Sequence, residues 1–173
     1  MLQTMLYALL AGSVLVGSTL SVQAQSSVDE DLLLQINAIG SSMSANVASI
    51  QQIGNVNEAI LNQVENGNSA QVAQFGKANV IMVQQGGSMY SMAILQLGTA
   101  NSYYGDVEGF DANLDIFQLG NNNQIEQRSK LTDANLIIIQ MGDNHELIQT
   151  RDIENTQGMR IIQRGNGAKA FIR

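Results

Sequence analysis

The 173-residue chain has no cysteine, proline or tryptophan, and it has a single histidine. Without cysteine it can form no disulfide and carry no thiol-linked lipid, so its stability must come from burial and backbone pairing. No nucleophile elbow, phosphate-binding loop or fixed carboxylate pair is present, which predicts a protein that is not an enzyme and uses no cofactor or metal. The formal net charge of −7 argues against nonspecific nucleic-acid binding.

Residues 1–24 have the pattern of a secretory signal peptide. An apolar run from Met5 to Leu20 is followed by Ser-Val-Gln-Ala, with small residues at Val22 and Ala24. The run is shorter than the ~20 apolar residues that span a bilayer, although a membrane anchor is the alternative interpretation. We expect cleavage after Ala24, export, and a polar, acidic leader over residues 25–45.

The phrase Gln-x-Gly-x-x-Asn recurs along the rest of the chain. Its first five anchors are each separated by 22 residues, and the last follows after 23. The anchors are Gln52, Gln74, Gln96, Gln118, Gln140 and Gln163. A fixed period of this length is typical of solenoids and repeat arrays.

Each repeat predicts two strands joined by a turn. Apolar residues stand four and two positions before the anchor, as at Leu114 and Ile116, and this alternation is that of a strand with one buried face. A second, weaker alternation follows at positions +7 and +9 and predicts the second strand. Between the two strands lies a glycine suited to positive φ. These turn glycines are Gly54, Gly76, Gly98, Gly120 and Gly142.

The predicted fold is therefore an all-β solenoid over residues 46–173. Five to six strand-turn-strand coils would stack to form two parallel sheets packed face to face, as in cross-β structure. Residues at the same repeat position would then form ladders. We expect one ladder of glutamines (Gln52, Gln74, Gln96, Gln118, Gln140) and one of asparagines (Asn57, Asn79, Asn101, Asn123). His145 takes the next asparagine position, as a structural substitute.

The repeats resemble those of the curlins, the subunits of bacterial curli fibres. The curlin repeat reads Gln-x-Gly-x-x-Asn-x-Ala-x-x-x-Gln; residues 52–63 fit every position, and residues 74–85 depart only at Ile81. The resemblance implies a secreted, extracellular amyloid subunit of a fimbrium, active in adhesion and biofilm formation. It also implies partners: the major curlin subunit, further copies of the chain, the curli secretion pore with its surface accessory factors, and the outer-membrane surface.

Among curlins, the chain is most similar to the minor, nucleating subunit. Its last repeat is irregular and basic, and by resemblance it would serve in templating or anchoring. The basic residues of this coil are Arg160, Arg164, Lys169 and Arg173. Two alternatives stay open: the major fibre subunit, and a monomeric solenoid adhesin that never polymerises. No capping segment of the usual kind flanks the repeats, so we expect open strand edges.

An outward apolar stripe is expected on the first strands. Position −1 becomes increasingly apolar along the chain, with Leu95, Phe117 and Ile139 as its centre. An exposed apolar surface of this kind is typical of an interface. The alternative is that burial on two faces only strengthens the strand.

Overall fold

A computed structural model describes residues 14–17, 20–26, 46–150, 152 and 158–173. The ordered elements of these residues are strands, with no helix among them. The first strands of the coils are β3 (Asn46–Asn55), β5 (Ser69–Lys77), β7 (Tyr90–Thr99), β9 (Ala112–Asn121), β11 (Asn135–Asp143) and β13 (Met159–Asn166). The second strands are β4 (Asn57–Gln63), β6 (Val80–Gln85), β8 (Ser102–Val107), β10 (Gln124–Ser129), β12 (Glu146–Gln149) and β14 (Lys169–Ile172).

Two seven-stranded sheets run the length of the solenoid. Each sheet also contains one earlier strand, β1 (Val14–Gly17) or β2 (Leu20–Ser26). One sheet has the order β1-β3-β5-β7-β9-β11-β13 and the other β14-β12-β10-β8-β6-β4-β2. From β3 to β14 all pairing is parallel and aligns equal repeat positions, as at Gln74 beside Gln96. The predicted two-sheet solenoid is confirmed. β8 forms in full, although Gly105 weakens its apolar pattern.

The core lies between the sheets, where every second residue of each strand points inward. β9 shows the alternation, since Leu114 and Ile116 are fully buried while Asn113 is exposed. Burying one such aliphatic side chain contributes about 1.5–3 kcal/mol. The core of the first sheet consists of Ala48, Ile50, Ala70, Val72, Met92, Ile94, Leu114, Ile116, Leu136 and Ile138. The second sheet contributes chiefly Ala59, Leu61, Ile81, Val83, Tyr103, Ile125 and Leu147.

The first strands span eight to ten residues, because each continues through the glycine that lies two positions after its anchor glutamine. At the five turn glycines φ lies between 115° and 127°, a region that L residues rarely adopt. A Cβ at Gly98 would also overlap the carbonyl oxygen of Gly120 in the next coil. The chain reverses two residues later, where Val56, Ala78 and Ala100 adopt left-handed conformations.

Two strands cover the N-terminal edge of the solenoid in the full-length chain, whereas the expectation of open edges concerns the chain without its signal peptide. β1 (Val14–Gly17) pairs antiparallel with β3, and β2 (Leu20–Ser26) pairs antiparallel with β4. Both strands fall largely within the predicted signal peptide. Residues 27–45, most of the predicted leader, lie outside the described part of the chain.

A polar cluster interrupts the core at the third coil. Gly105 leaves space that the phenol of Tyr103 fills, so a Cβ there would overlap the ring. The Tyr103 hydroxyl donates to Gln127 Oε1 at 2.9 Å. Burial raises the pKa of Tyr103 well above its ordinary value. Tyr90 is buried as well, but its hydroxyl has no hydrogen-bond partner.

The two buried tyrosines should therefore respond oppositely to loss of the hydroxyl. Tyr103→Phe leaves Gln127 Oε1 without this donor and should lower the free energy of unfolding by about 1–2 kcal/mol, whereas Tyr90→Phe removes an unpaired buried hydroxyl and should be neutral or stabilising. Denaturant unfolding of the two variants tests this. Equal losses in both would contradict the assigned hydrogen bond.

The raised pKa of the buried tyrosines predicts that the stability of the fold depends on pH. A tyrosine with a raised pKa in the folded state stays neutral there, while the unfolded chain ionises near pH 10. Its contribution to stability is complete below that pH and is lost as pH rises above it. Unfolding titrations should therefore show stability falling above about pH 10 in the wild type, and less steeply in Tyr103→Phe.

Candidate assembly site

The anchor glutamines form a continuous ladder through the solenoid. Each one is the last inward-facing buried residue of its coil's first strand. The Nε2 atom of each anchor donates to Oε1 of the anchor in the next coil. The distances from Gln52 to Gln74, Gln96, Gln118, Gln140 and Gln163 in turn are 2.6, 2.8, 2.7, 2.9 and 2.7 Å. All six side chains are buried. A buried amide without partners would cost about 1–3 kcal/mol, and the stacking of identical side chains removes that cost.

Five of the six anchor amides also link the two sheets. Gln96 Nε2 donates to the carbonyl oxygen of Val80 at 3.0 Å, at the start of the second strand of the preceding coil. Gln74, Gln118, Gln140 and Gln163 make the equivalent bond. The ladder is thus directional: donors point toward the C-terminal end and acceptors toward the N-terminal end.

The asparagine ladder works differently from the expected chain of side-chain amides. Asn101 Oδ1 accepts from the backbone N–H of Asn123 at 3.1 Å, and Asn101 Nδ2 donates to the carbonyl oxygen of Gly120 at 2.8 Å. Side-chain to side-chain bonds link only Asn57, Asn79 and Asn101. The asparagines therefore hold the next coil's backbone at the turn.

His145 lies in the asparagine position with its side chain buried. Its Nδ1 accepts from the backbone N–H of Ala168 at 3.2 Å, which matches the role of an asparagine Oδ1. Nε2 lies 3.2 Å from the carbonyl oxygen of Met141. A neutral imidazole with the proton on Nε2 satisfies both contacts.

A second pair of stacked asparagines lies at the opposite turn and was not predicted from the sequence. Asn46 and Asn68 are buried six positions before their anchors, and Asn46 Oδ1 accepts from the backbone N–H of Asn68 at 3.0 Å. Asn68 Oδ1 in turn accepts from the N–H of Tyr90. The signal was the 22-residue spacing of Asn46 and Asn68, which breaks off at Tyr90 after two copies.

The predicted outer stripe lies on the outward face of the first sheet. Leu95, Phe117 and Ile139 are register partners and half-buried. Their neighbours at position +1 add to the surface, since Leu97 is 49 % and Met141 is 40 % exposed. Parallel sheets usually have both faces covered, so this surface, extended by Ile162, is suited to a contact.

The outward face of the second sheet carries another apolar row that the sequence reading missed. Its members are Ile60, Met82, Tyr104, Ile148 and Phe171, which share position +8 and are interrupted only by Glu126. A groove of about 730 Å³ runs beside them and is bordered by Asp106 and Arg128. These two side chains lie 3.7 Å apart and are exposed, so their attraction is worth little.

The four basic residues of the last coil, Arg160, Arg164, Lys169 and Arg173, are all exposed. Lys169 Nζ lies 2.6 Å from Glu146 Oε2 of the preceding coil. The four residues lie at the C-terminal end of the solenoid, opposite the first coil. Arg160 and Arg164 flank the outer stripe at Ile162.

The described residues contain no group of side chains suited to hold a metal ion. Among them there is also no helix long and apolar enough to cross a membrane.

No family model matches the chain, and no curated protein or solved structure matches it. The candidate site therefore rests on its own geometry.

The central amide of the ladder should be the most costly to remove. Gln96→Leu deprives Gln118 Oε1 of its donor and leaves an N–H of Gln74 without an acceptor. Two unpaired buried groups should lower the free energy of unfolding by roughly 2–4 kcal/mol. Denaturant unfolding monitored by circular dichroism measures the change.

Gln84→Leu is the matched control, because Gln84 is an exposed glutamine on the same solenoid and outside the ladder. Its effect should stay within about 0.5 kcal/mol. Similar losses in both variants would show that the ladder bonds do not stabilise the fold.

Proposed function

We propose that the chain is a secreted subunit of the curlin type that nucleates extracellular amyloid-like fibres from a major curlin subunit. The observation that carries the proposal is the unbroken register of its coils. Each coil repeats the same backbone pairing and the same glutamine bond from Gln52 to Gln163. A folded coil is therefore a template for any further coil with the same period.

Nucleation by such a template has a direct physical reason. The first coil of a free chain must be ordered before any neighbour can pair with it, at about 1–2 kcal/mol of backbone entropy for each residue. A preformed edge supplies the hydrogen-bond partners at once, so the incoming chain does not build an unpaired coil. The same argument favours growth by parallel, in-register addition.

A seeding assay tests this proposal. Exported protein, added substoichiometrically to a freshly monomeric major curlin subunit from the same cells, should abolish most of the lag before thioflavin fluorescence rises. An unchanged lag would reject nucleation. If the chain then fibrillises by itself it is a fibre subunit, and if it stays monomeric it is an adhesin.

Surface attachment is assigned to the outer stripe and the basic last coil together. The stripe is an apolar surface on the outward face of the first sheet, and Arg160 and Arg164 beside it suit an acidic partner. A contact of this kind would hold the nucleator at the outer-membrane surface while fibres extend from it.

Replacement of Phe117 and Ile139 by serine should release the protein into the medium, because it removes the apolar contact while leaving the buried face unchanged. Immunoblots of cells and medium measure the distribution. Gln51→Ser changes the same outward position in the first coil, where no apolar side chain stands, and should keep the protein on cells. Undiminished retention of the Phe117/Ile139 variant would exclude the stripe as an attachment surface.

A further inference from the structure

The two ends of the glutamine ladder are chemically different. At the C-terminal end, Gln163 Nε2 donates to the carbonyl oxygens of Glu146 and Ala168, both at 2.9 Å. At the N-terminal end, Gln52 Oε1 is buried and has no hydrogen-bond partner among the described residues. The donor end is satisfied within the chain, and the acceptor end is not.

A second unpaired acceptor lies on the same end face. Gln63, at position +11 of the first coil, donates from Nε2 to Gln85 Oε1 at 3.0 Å. Its own Oε1 is buried and has no partner. In the full-length chain, where β1 and β2 cover this face, the side chains of Gln52 and Gln63 are 6 % and 0 % exposed, so neither acceptor reaches water there.

The strands that cover this face do not meet its hydrogen-bonding needs. β1 and β2 pair antiparallel with the backbones of β3 and β4, yet both glutamine acceptors stay unpaired. An antiparallel strand cannot continue a ladder that depends on equal positions lying above one another. Cleavage after Ala24 would remove all of β1 and all but two residues of β2.

We propose that the N-terminal end face, formed by β3 and β4, is the surface that captures an incoming chain. The occupant is a coil in parallel register that carries glutamine at both position 0 and position +11. Its two Nε2 groups would donate to Gln52 Oε1 and Gln63 Oε1, as Gln52 and Gln63 themselves donate to Gln74 and Gln85. This inference rests on the proposed templating function and assigns it to one end of the solenoid.

The same chemistry distinguishes the occupant from the middle coils of a second copy. Those coils offer Gln96, Gln118 or Gln140 at position 0 but Val107, Ser129 or Arg151 at position +11. The first two coils, with Gln52 and Gln63 or Gln74 and Gln85, have the required pair. A coil of that kind satisfies both acceptors, whereas a middle coil offers a matching glutamine amide only to Gln52.

A labelled peptide of residues 68–89, which contains Gln74 and Gln85, is the probe for this face. Protein recovered after export, with removal of residues 1–24 verified by mass, should bind it in fluorescence anisotropy. Gln52→Leu combined with Gln63→Leu should weaken binding about tenfold or more, because each lost acceptor leaves a peptide amide unpaired. Gln84→Leu, the same change at an exposed glutamine outside the ladder, should leave binding unchanged.

Two further measurements keep the test decisive if the glutamine variants misfold. The unprocessed full-length chain should bind the peptide more weakly than the processed chain, because β1 and β2 occupy the face. A peptide with Gln74 and Gln85 replaced by leucine should bind the unaltered processed protein about tenfold more weakly or worse.

Unchanged binding in the Gln52/Gln63 variant would overturn the inference. Absence of any peptide binding would overturn it as well. A disulfide forming readily between Gln51→Cys and Ile162→Cys copies, whose positions would lie about 4.8 Å apart in a head-to-tail stack, would make a second copy the occupant instead. Peptide capture does not depend on fibre growth, so it separates this inference from a failure of nucleation in the seeding assay.

Discussion

The hydrogen bond from one buried glutamine to the next is the interaction on which this structure depends. It requires equal positions of neighbouring coils to lie beside one another, because Gln96 can reach Gln118 only if both backbones lie in the same register. A shift by one residue would turn every inward side chain outward. The ladder therefore fixes the register, and the apolar core supplies most of the burial.

Close backbone stacking imposes the second constraint. The turn glycines lie so near one another that a Cβ on Gly98 would overlap Gly120. The asparagines then secure the stacked turns by bonding the next coil's backbone. The single late insertion before Gln163 leaves register intact, since β13 still pairs with β11 position for position.

The proposed function follows from the ends of this arrangement. A solenoid that repeats one set of bonds has the same bonds to offer at its edges, and Gln52 and Gln63 present theirs without a partner. The outward faces add contacts of another kind, through apolar rows at Leu95, Phe117 and Ile139 and at Met82 and Tyr104. In the proposed function, templating along the solenoid axis and attachment through its outward faces therefore use different surfaces.

The sequence by itself determined the period, the two-strand coil, the buried positions and the glutamine ladder, because these repeat locally and depend only on alternation and spacing. The tertiary structure alone decided how the amides are used. The asparagines bond chiefly the backbone of the next coil, Tyr103 fills the space beside Gly105, and the glutamine ladder leaves its acceptors unpaired at the N-terminal face. Those outcomes depend on the offset between neighbouring coils and on which atoms face each other across that offset. The recurrence of a residue type in the sequence determines neither of these.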